Sequence, residues 1–190
     1  KSENSGITNT HTFCEVNDSV LWVSAAGGLY KVVVDKKKHP YRIVDKQIFP
    51  FKKDGIVIND EYYSMIYDGT SKIFLGSRRG YGIIRLDIHT GKYDFISMDN
   101  AQNKGLGDVI SLLLDKDSTL YIGAGSGLTQ IKMRQNMRNR IKQFSRHNGI
   151  INDMIHGILK DDNGIIWLST SKGLVKYNPL NDSFFNVKSQ

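Results

Sequence analysis

Cysteine is nearly absent from this chain: its 190 residues hold one, Cys14, which excludes an intrachain disulfide and a cysteine-rich metal site. Cys14 stands near Phe13 and Val16 and reads as a small core residue, not a nucleophile. Proline is scarce, with three, and no apolar run approaches the ~20 residues a membrane helix needs. The opening residues, Lys1-Ser2-Glu3-Asn4-Ser5, lack the apolar core of a signal peptide. The histidines His11, His39, His89, His147 and His156 show no i,i+4 pairing, so zinc has no support. Acid is the minority charge, 19 residues against 26 basic, leaving a net +7. That balance favours acidic partners (nucleic acid, anionic lipid or acidic sugar) without choosing among them. What is present, 39% hydrophobic and 24% charged residues, is enough for a core and excludes wholesale disorder.

The strongest positive signal is repetition. Leu21-Trp22-Val23-Ser24, Ile73-Phe74-Leu75-Gly76, Leu120-Tyr121-Ile122-Gly123 and Ile166-Trp167-Leu168-Ser169 each read apolar, aromatic, apolar, small. The aromatics lie 52, 47 and 46 residues apart. Six residues beyond each stands a glycine, Gly28, Gly80, Gly127 or Gly173. Six before come Asp68, Asp115 and Asp161, with Val16 the exception, and three before come Ser19, Ser71, Ser118 and Gly164.

Each unit reads as four strands. In the last, Met154 to Lys160, Ile165 to Ser169, Leu174 to Tyr177 and Ser183 to Val187 are separated by turn residues. Four antiparallel strands per ~40–50 residues is the arithmetic of a β-propeller blade. Helical spacing is sustained nowhere except, as an open alternative, from Ile131 to Phe144. The expectation is an all-β fold, a β-propeller of four blades at about residues 6–51, 56–98, 105–146 and 150–188. It is expected to be part of a larger propeller whose uncovered flanks self-associate, as a homodimer or otherwise.

The stretch from Asn152 to Leu174, with Asp161, Gly164, Trp167, Thr170 and Gly173 in register, resembles the two-component-regulator propeller repeat. The third copy follows it through Val109, Leu112, Asp115, Tyr121, Gly123, Gly127 and Leu128, and the first two copies more loosely. The resemblance implies the periplasmic sensor region of an inner-membrane hybrid two-component system histidine kinase. Such a region would sense a glycan breakdown product and control polysaccharide-utilisation genes, with the kinase and its phosphorelay elsewhere in the parent chain. No kinase motif is present here, so the chain itself is expected not to be an enzyme, and no cofactor is expected. A polysaccharide-active propeller enzyme (a lyase or hydrolase) and a protein-interaction scaffold are the alternatives.

Other constellations carry less. Gly123-Ala124-Gly125-Ser126-Gly127 lacks the following helix that a dinucleotide loop needs. The acidic turns Asp115-Lys116-Asp117 and Asp161-Asp162-Asn163-Gly164 lack the calcium-loop spacing and its closing glutamate. Lys132, Arg134, Arg138, Arg140, Lys142 and Arg146 form a basic stretch with only Phe144 available for stacking, so nucleic acid is not expected through this region. That stretch and Lys36-Lys37-Lys38-His39 should be hairpin loops on a shared face. Trp22, Phe74 and Trp167 should pack between blades and not stack on sugars.

In a propeller, turns between second and third strands and junctions between blades emerge at one end. That end should gather Ala25 and Ala26, Arg78 and Arg79, Gly125 and Ser126, and Ser171 and Lys172. It should also receive the junctions near Lys53-Asp54, Asn103-Lys104 and Arg146-His147-Asn148. The candidate ligand residues are Arg78, Arg79, Tyr81, Ser126 and Lys172, with the two guanidiniums and the Tyr81 ring suited to an acidic oligosaccharide. The plain alternative is a solvated Arg78-Arg79 turn with Tyr81 packed on the neighbouring blade. No catalytic or metal residue is assigned.

Overall fold

Period-two alternation in each repeat produces four antiparallel sheets, each a four-stranded meander. The computed structural model describes residues 6–37, 39, 41–58, 60–96, 105–133 and 140–188. The first sheet holds β1 (Thr10–Asn17), β2 (Val20–Ala25), β3 (Gly28–Asp35) and β4 (Arg42–Phe49). A small hairpin follows, β5 (Lys52–Lys53) and β6 (Ile56–Val57), which the repeat pattern does not announce. The second sheet is β7 (Tyr62–Tyr67), β8 (Lys72–Ser77), β9 (Ile83–Asp87) and β10 (Tyr93–Ile96). The third is β11 (Val109–Leu114), β12 (Thr119–Ala124), β13 (Gly127–Lys132) and β14 (Arg140–Phe144). The fourth is β15 (Ile155–Lys160), β16 (Ile166–Thr170), β17 (Gly173–Asn178) and β18 (Ser183–Asn186). Both described ends of the Ile131–Phe144 stretch are strand, so the helical alternative fails there. Of the two basic loops, Lys38, Arg134 and Arg138 lie outside the described residues, as do Asn103 and Lys104.

The first strands line up: β1 lies against β7, β7 against β11, and β11 against β15. This is the inner wall of a propeller, with each sheet a blade. Register then dictates what each face buries. Trp22 joins the core between the first and second blades, where it meets Ile73 and Leu75, the residues flanking Phe74. Phe74 in turn meets Leu120 and Ile122, and Tyr121 meets Ile166 and Leu168. The aromatic therefore buries forward and its two aliphatic neighbours bury backward, because successive side chains leave a strand on opposite faces.

Trp167 departs from this rule. Its indole is only partly buried, under Lys176, whose Nζ stands 4.5 Å from the ring centre, and its Nε1 donates to Asp161 Oδ2 at 2.9 Å. Among the described residues no blade covers it, and the expected inter-blade packing is seen for Trp22 and Phe74. Cys14 is half-buried against the first inter-blade core, and that burial pushes its thiol up to about 11. It is therefore protonated at neutral pH, a core group as expected.

The repeat aspartates are turn clamps. Asp68 Oδ1 accepts the amides of Thr70, Ser71 and Lys72, and Asp161 Oδ1 accepts those of Asn163 and Ile165. Partial burial works against the charge of Asp68, but the amides outweigh it and hold the carboxyl below its usual range. At Asp161 the indole of Trp167 is the largest influence, and it lowers the carboxyl in the same direction. A carboxylate depressed in the folded state stabilises above its unfolded pKa, near ~4, and loses that contribution as pH falls through the folded value. The melting temperature should therefore drop below about pH 4. Asp68→Asn with Asp161→Asn should flatten that drop, and an unchanged acid limb in calorimetry would remove these turns as its cause.

Candidate functional site

The turns between second and third strands are stitched to the entries of the first strands, which gathers both at one end of the blades. Ala26 N donates to Asn9 O at 3.2 Å, Gly125 N to Asp108 O at 3.3 Å and Ser171 N to Met154 O at 3.3 Å. In the second blade Arg78 takes this place, and its Nη1 reaches Glu61 Oε2 at 3.2 Å.

Just inside these entries every first strand carries a β-bulge. Thr10 pairs with Ala25 and Thr12 with Ser24, leaving His11 extra. The same shift leaves Tyr63 in β7, Ile110 in β11 and His156 in β15. A bulge bends the strand and re-aims the extra side chain. Here it does so four times at the same place, with residues of three chemical types.

Three blades meet around Arg78. Its Nη1 donates to the Tyr63 hydroxyl at 2.6 Å, and the guanidinium lies 4.7 Å from that ring's centre. Asp108, on the third blade, stands 4.0 Å from Arg78 Nε. His11, on the first, approaches Glu61 Oε2 at 3.7 Å and has its ring 4.6 Å from that of Tyr63. Tyr63, with Glu61 and Asp108, raises the Arg78 pKa, so this guanidinium stays charged and matched by acid. Elsewhere on this end His156 Nε2 and Ser171 Oγ are 2.8 Å apart.

The loop carrying Arg78 is shaped from beneath. Asp60 is 1% exposed and accepts the Ser77 hydroxyl and the Glu61 amide. Ser77 Oγ accepts the amides of Tyr81 at 2.9 Å and Arg79 at 3.2 Å. Tyr81 is packed against the first inter-blade core, with Lys53 of the β5–β6 hairpin 5.9 Å from its ring. Arg79 and Lys172 are exposed, and no ion pair engages either among the described residues. Ser126 donates its hydroxyl to Leu106 O at 2.8 Å and serves its own turn.

Of the five candidates, only Arg78 joins a polar side-chain cluster spanning blades, while Tyr81 joins the apolar core between the first two. Its companions His11, Glu61, Tyr63 and Asp108 were not read as a site from sequence. A signal for the bulge residues existed: His11, Tyr63, Ile110 and His156 each stand eleven residues before the repeat aromatic.

Among the described residues no group of three or more His, Cys, Asp or Glu is gathered to hold a metal. A cleft of about 660 Å³ lies between the third and fourth blades at their other end. Three of its four lysines are paired: Lys160 with Asp115, Lys132 with Asp117 at 3.0 Å and Lys142 with Asp182 at 2.6 Å. That network ties blades together and leaves less free charge than the lysine count suggests.

Residues 149–172 match the family model described as the two component regulator propeller, over the repeat singled out from sequence. No curated protein matches the chain. Among solved structures it is similar to the extracellular domain of the hybrid two component system BT4673 from B. thetaiotaomicron, with TM-score 0.72 and 20% identity over 99% of this chain and 22% of that one. It is also similar to the extracellular domain of the hybrid two component system BT3049 from the same organism, with TM-score 0.61 and 17% identity over 99% of this chain and 30% of that one. A protein described as a 6-phosphogluconolactonase from Bacteroides uniformis aligns with TM-score 0.62 and 11% identity, over 94% of this chain and 53% of that one. The chain thus spans less than a third of the length of the two sensor structures. These likenesses show the propeller fold, which extracellular sensor domains and an enzyme share.

Proposed function

We propose that this chain is a ligand-recognising part of the sensor region of a hybrid two-component system histidine kinase, positioned outside the cytoplasmic membrane. The observation that carries the reading is the repeated bulge. Four blades built to one pattern differ where His11, Tyr63, Ile110 and His156 are turned out of the ladder, and variation on an otherwise repeating scaffold is the mark of a recognition surface. The match to the regulator repeat supplies the signalling context.

The ligand proposed is an oligosaccharide, such as a glycan breakdown product. The phenol of Tyr63, the imidazoles of His11 and His156 and the carboxylates of Glu61 and Asp108 offer donors and acceptors, with ring faces beside them. Arg78 is already matched by acid, so a carboxylate or sulfate on the sugar would fall to Arg79. The reading is one of binding without turnover.

The test is a panel of neutral and acidic oligosaccharides followed by melting temperature and product analysis. A true ligand at ~100 times its Kd stabilises by ~2.7 kcal/mol, a shift of several degrees. We expect that shift with no product, and its loss in His11→Ala/Tyr63→Phe/Arg78→Ala. An acidic ligand should also weaken in Arg79→Ala. Release of a cleaved sugar would replace the sensor with the enzyme, and absence of any shift across the panel would remove the sugar site.

A further inference from the structure

Two rows of positions recur on the forward faces of the blades, running across the second, third and fourth strands toward the end away from Arg78. The first blade fills them with Trp22, Lys31 and Gln47, then Val20, Val33 and Asp45. The second fills them with Phe74, Arg85 and Asp94, then Lys72 and Asp87. In both blades acid and base are equal in number, and in the second they pair, Arg85 with Asp94 at 2.8 Å and Lys72 with Asp87. The third blade departs from this balance. Its rows read Tyr121, Gln130 and Lys142, then Thr119, Lys132 and Arg140, three bases and no acid. These side chains line one wall of the cleft of about 660 Å³, a volume in the range of small-molecule sites. The other wall is Lys160 with the turns at Asn163 and Asn178, so both walls belong to blades that pack on each other within the chain.

Around this cleft Lys116, Lys132, Arg140, Lys142 and Lys160 carry five positive charges, and Asp115, Asp117 and Asp182 return three, an excess of two among the described residues. Partial burial works against the charge of Asp182, but Lys142, Tyr177 and Arg140 outweigh it and hold the carboxyl below its usual range. Arg140 is exposed and engages no ion pair among the described residues, so its planar fork of donors is available. Strand geometry sets Lys132 ~5 Å from it across the ladder and Lys142 ~7 Å along β14, on the same face. Tyr121, 3% exposed, belongs to the same wall. Its hydroxyl oxygen accepts Gln130 Nε2 at 3.3 Å and burial raises its pKa, so its proton remains to be donated to a ligand oxygen. We infer that this cleft holds a phosphate group, free or as the monoester of a small hydroxylated molecule, with Arg140 as the principal contact and Lys132 and Lys142 beside it. Such a group carries nearly two negative charges at neutral pH and three acceptor oxygens, matching the excess charge and the three cations of one face. Gln130, Asn163 and Asn178 supply the neutral donors and acceptors that the hydroxyls of an ester would meet. The site is independent of the cluster around Arg78, which lies at the opposite end of the blades.

Titration calorimetry of the 190-residue chain at ~0.15 M salt tests this, with inorganic phosphate, glucose 1-phosphate and glucose as probes. Both phosphates should bind and glucose should not. Tighter binding of glucose 1-phosphate identifies the ester as the ligand, and equal affinities identify the free ion. Arg140→Gln should weaken both ~10-fold, the loss expected of one charge-assisted hydrogen bond. Asp117→Asn should instead tighten both ~3-fold, because it releases Lys132 while keeping an oxygen for the Thr119 amide. Arg79→Ala and Lys36→Gln/Lys37→Gln, which remove charge elsewhere, should bind as the wild type does, and circular dichroism checks that every variant is folded. No binding of either phosphate at ~10 mM overturns the inference. So does an equal loss in Arg79→Ala and Arg140→Gln, which is the behaviour of diffuse charge, or glucose binding as tightly as its phosphate. If Arg140→Gln fails to fold, Asp117→Asn decides, and unchanged or weaker binding there overturns the inference.

Discussion

Phe74→Ala should cost about 3–5 kcal/mol, while Trp167→Ala, the same change at the same place in the repeat, should cost about 1–2 kcal/mol. Phe74 is 2% exposed and closes the core between the second and third blades with Leu120, Ile122 and Val109. Truncation there removes the ring and leaves a cavity that three strands cannot collapse to fill. Trp22, also 2% exposed, should behave likewise. Trp167 is only partly buried, and what it has to lose is chiefly an ammonium contact and one indole hydrogen bond. For a chain of this length 1 kcal/mol moves Tm by ~2–4 °C, so the two variants should separate by roughly 5–10 °C in calorimetry of dilute protein. Equal losses would mean that the fourth blade is covered as the others are.

The second large effect is expected at the small residue two places beyond the aromatic. A Cβ on Gly123 would stand 2.6 Å from Ile155 Cγ2 and also strike the Ser111 hydroxyl. On Gly76 it would strike Ser64 and Val109 in the same way. Val109 and Ile155 are the first residues of β11 and β15, so the small residue is what lets the next blade's inner strand approach. Gly123→Val should destabilise by about 2–3 kcal/mol through overpacking, and Gly76→Val should match it. Ser169→Val, at the uncovered flank, should change stability by less than about 1 kcal/mol. Denaturant midpoints at unchanged m-value would measure all three. A tolerated Gly123→Val would show that the third and fourth blades are not packed as closely as described.

Both contrasts bear on the proposed recognition surface. The bulged positions Tyr63, Ile110 and His156 sit next to these tight contacts, and two of the first strands, β7 and β11, are wedged between neighbours. A ligand there meets side chains held by a rigid inner wall, where little entropy remains to be lost on binding. The Arg78 loop is more rigid than its exposure suggests, because the buried Asp60–Ser77 pair beneath it sets the turn.

The sequence by itself determined whatever is local or periodic. Alternation at period two defined the strands, turn residues set the meander, and the recurrence of Trp22, Phe74, Tyr121 and Trp167 counted the blades. Asp68 and Asp161 could be read as turn residues because the amides they bind lie within four positions of them. Only the tertiary structure decided what lies across a blade interface. Nothing near Trp167 distinguishes it from Trp22, whose burial depends on Ile73 and Leu75 some fifty residues away, brought there by the stacking of whole sheets. Arg78 likewise looked like a free anion-binding fork. Its partner Tyr63 lies on an adjacent strand, Glu61 at the entry of that strand and Asp108 at the entry of the following blade. A period of two places a side chain on one face or the other, while what meets that face is set by contacts between repeats that no local pattern encodes.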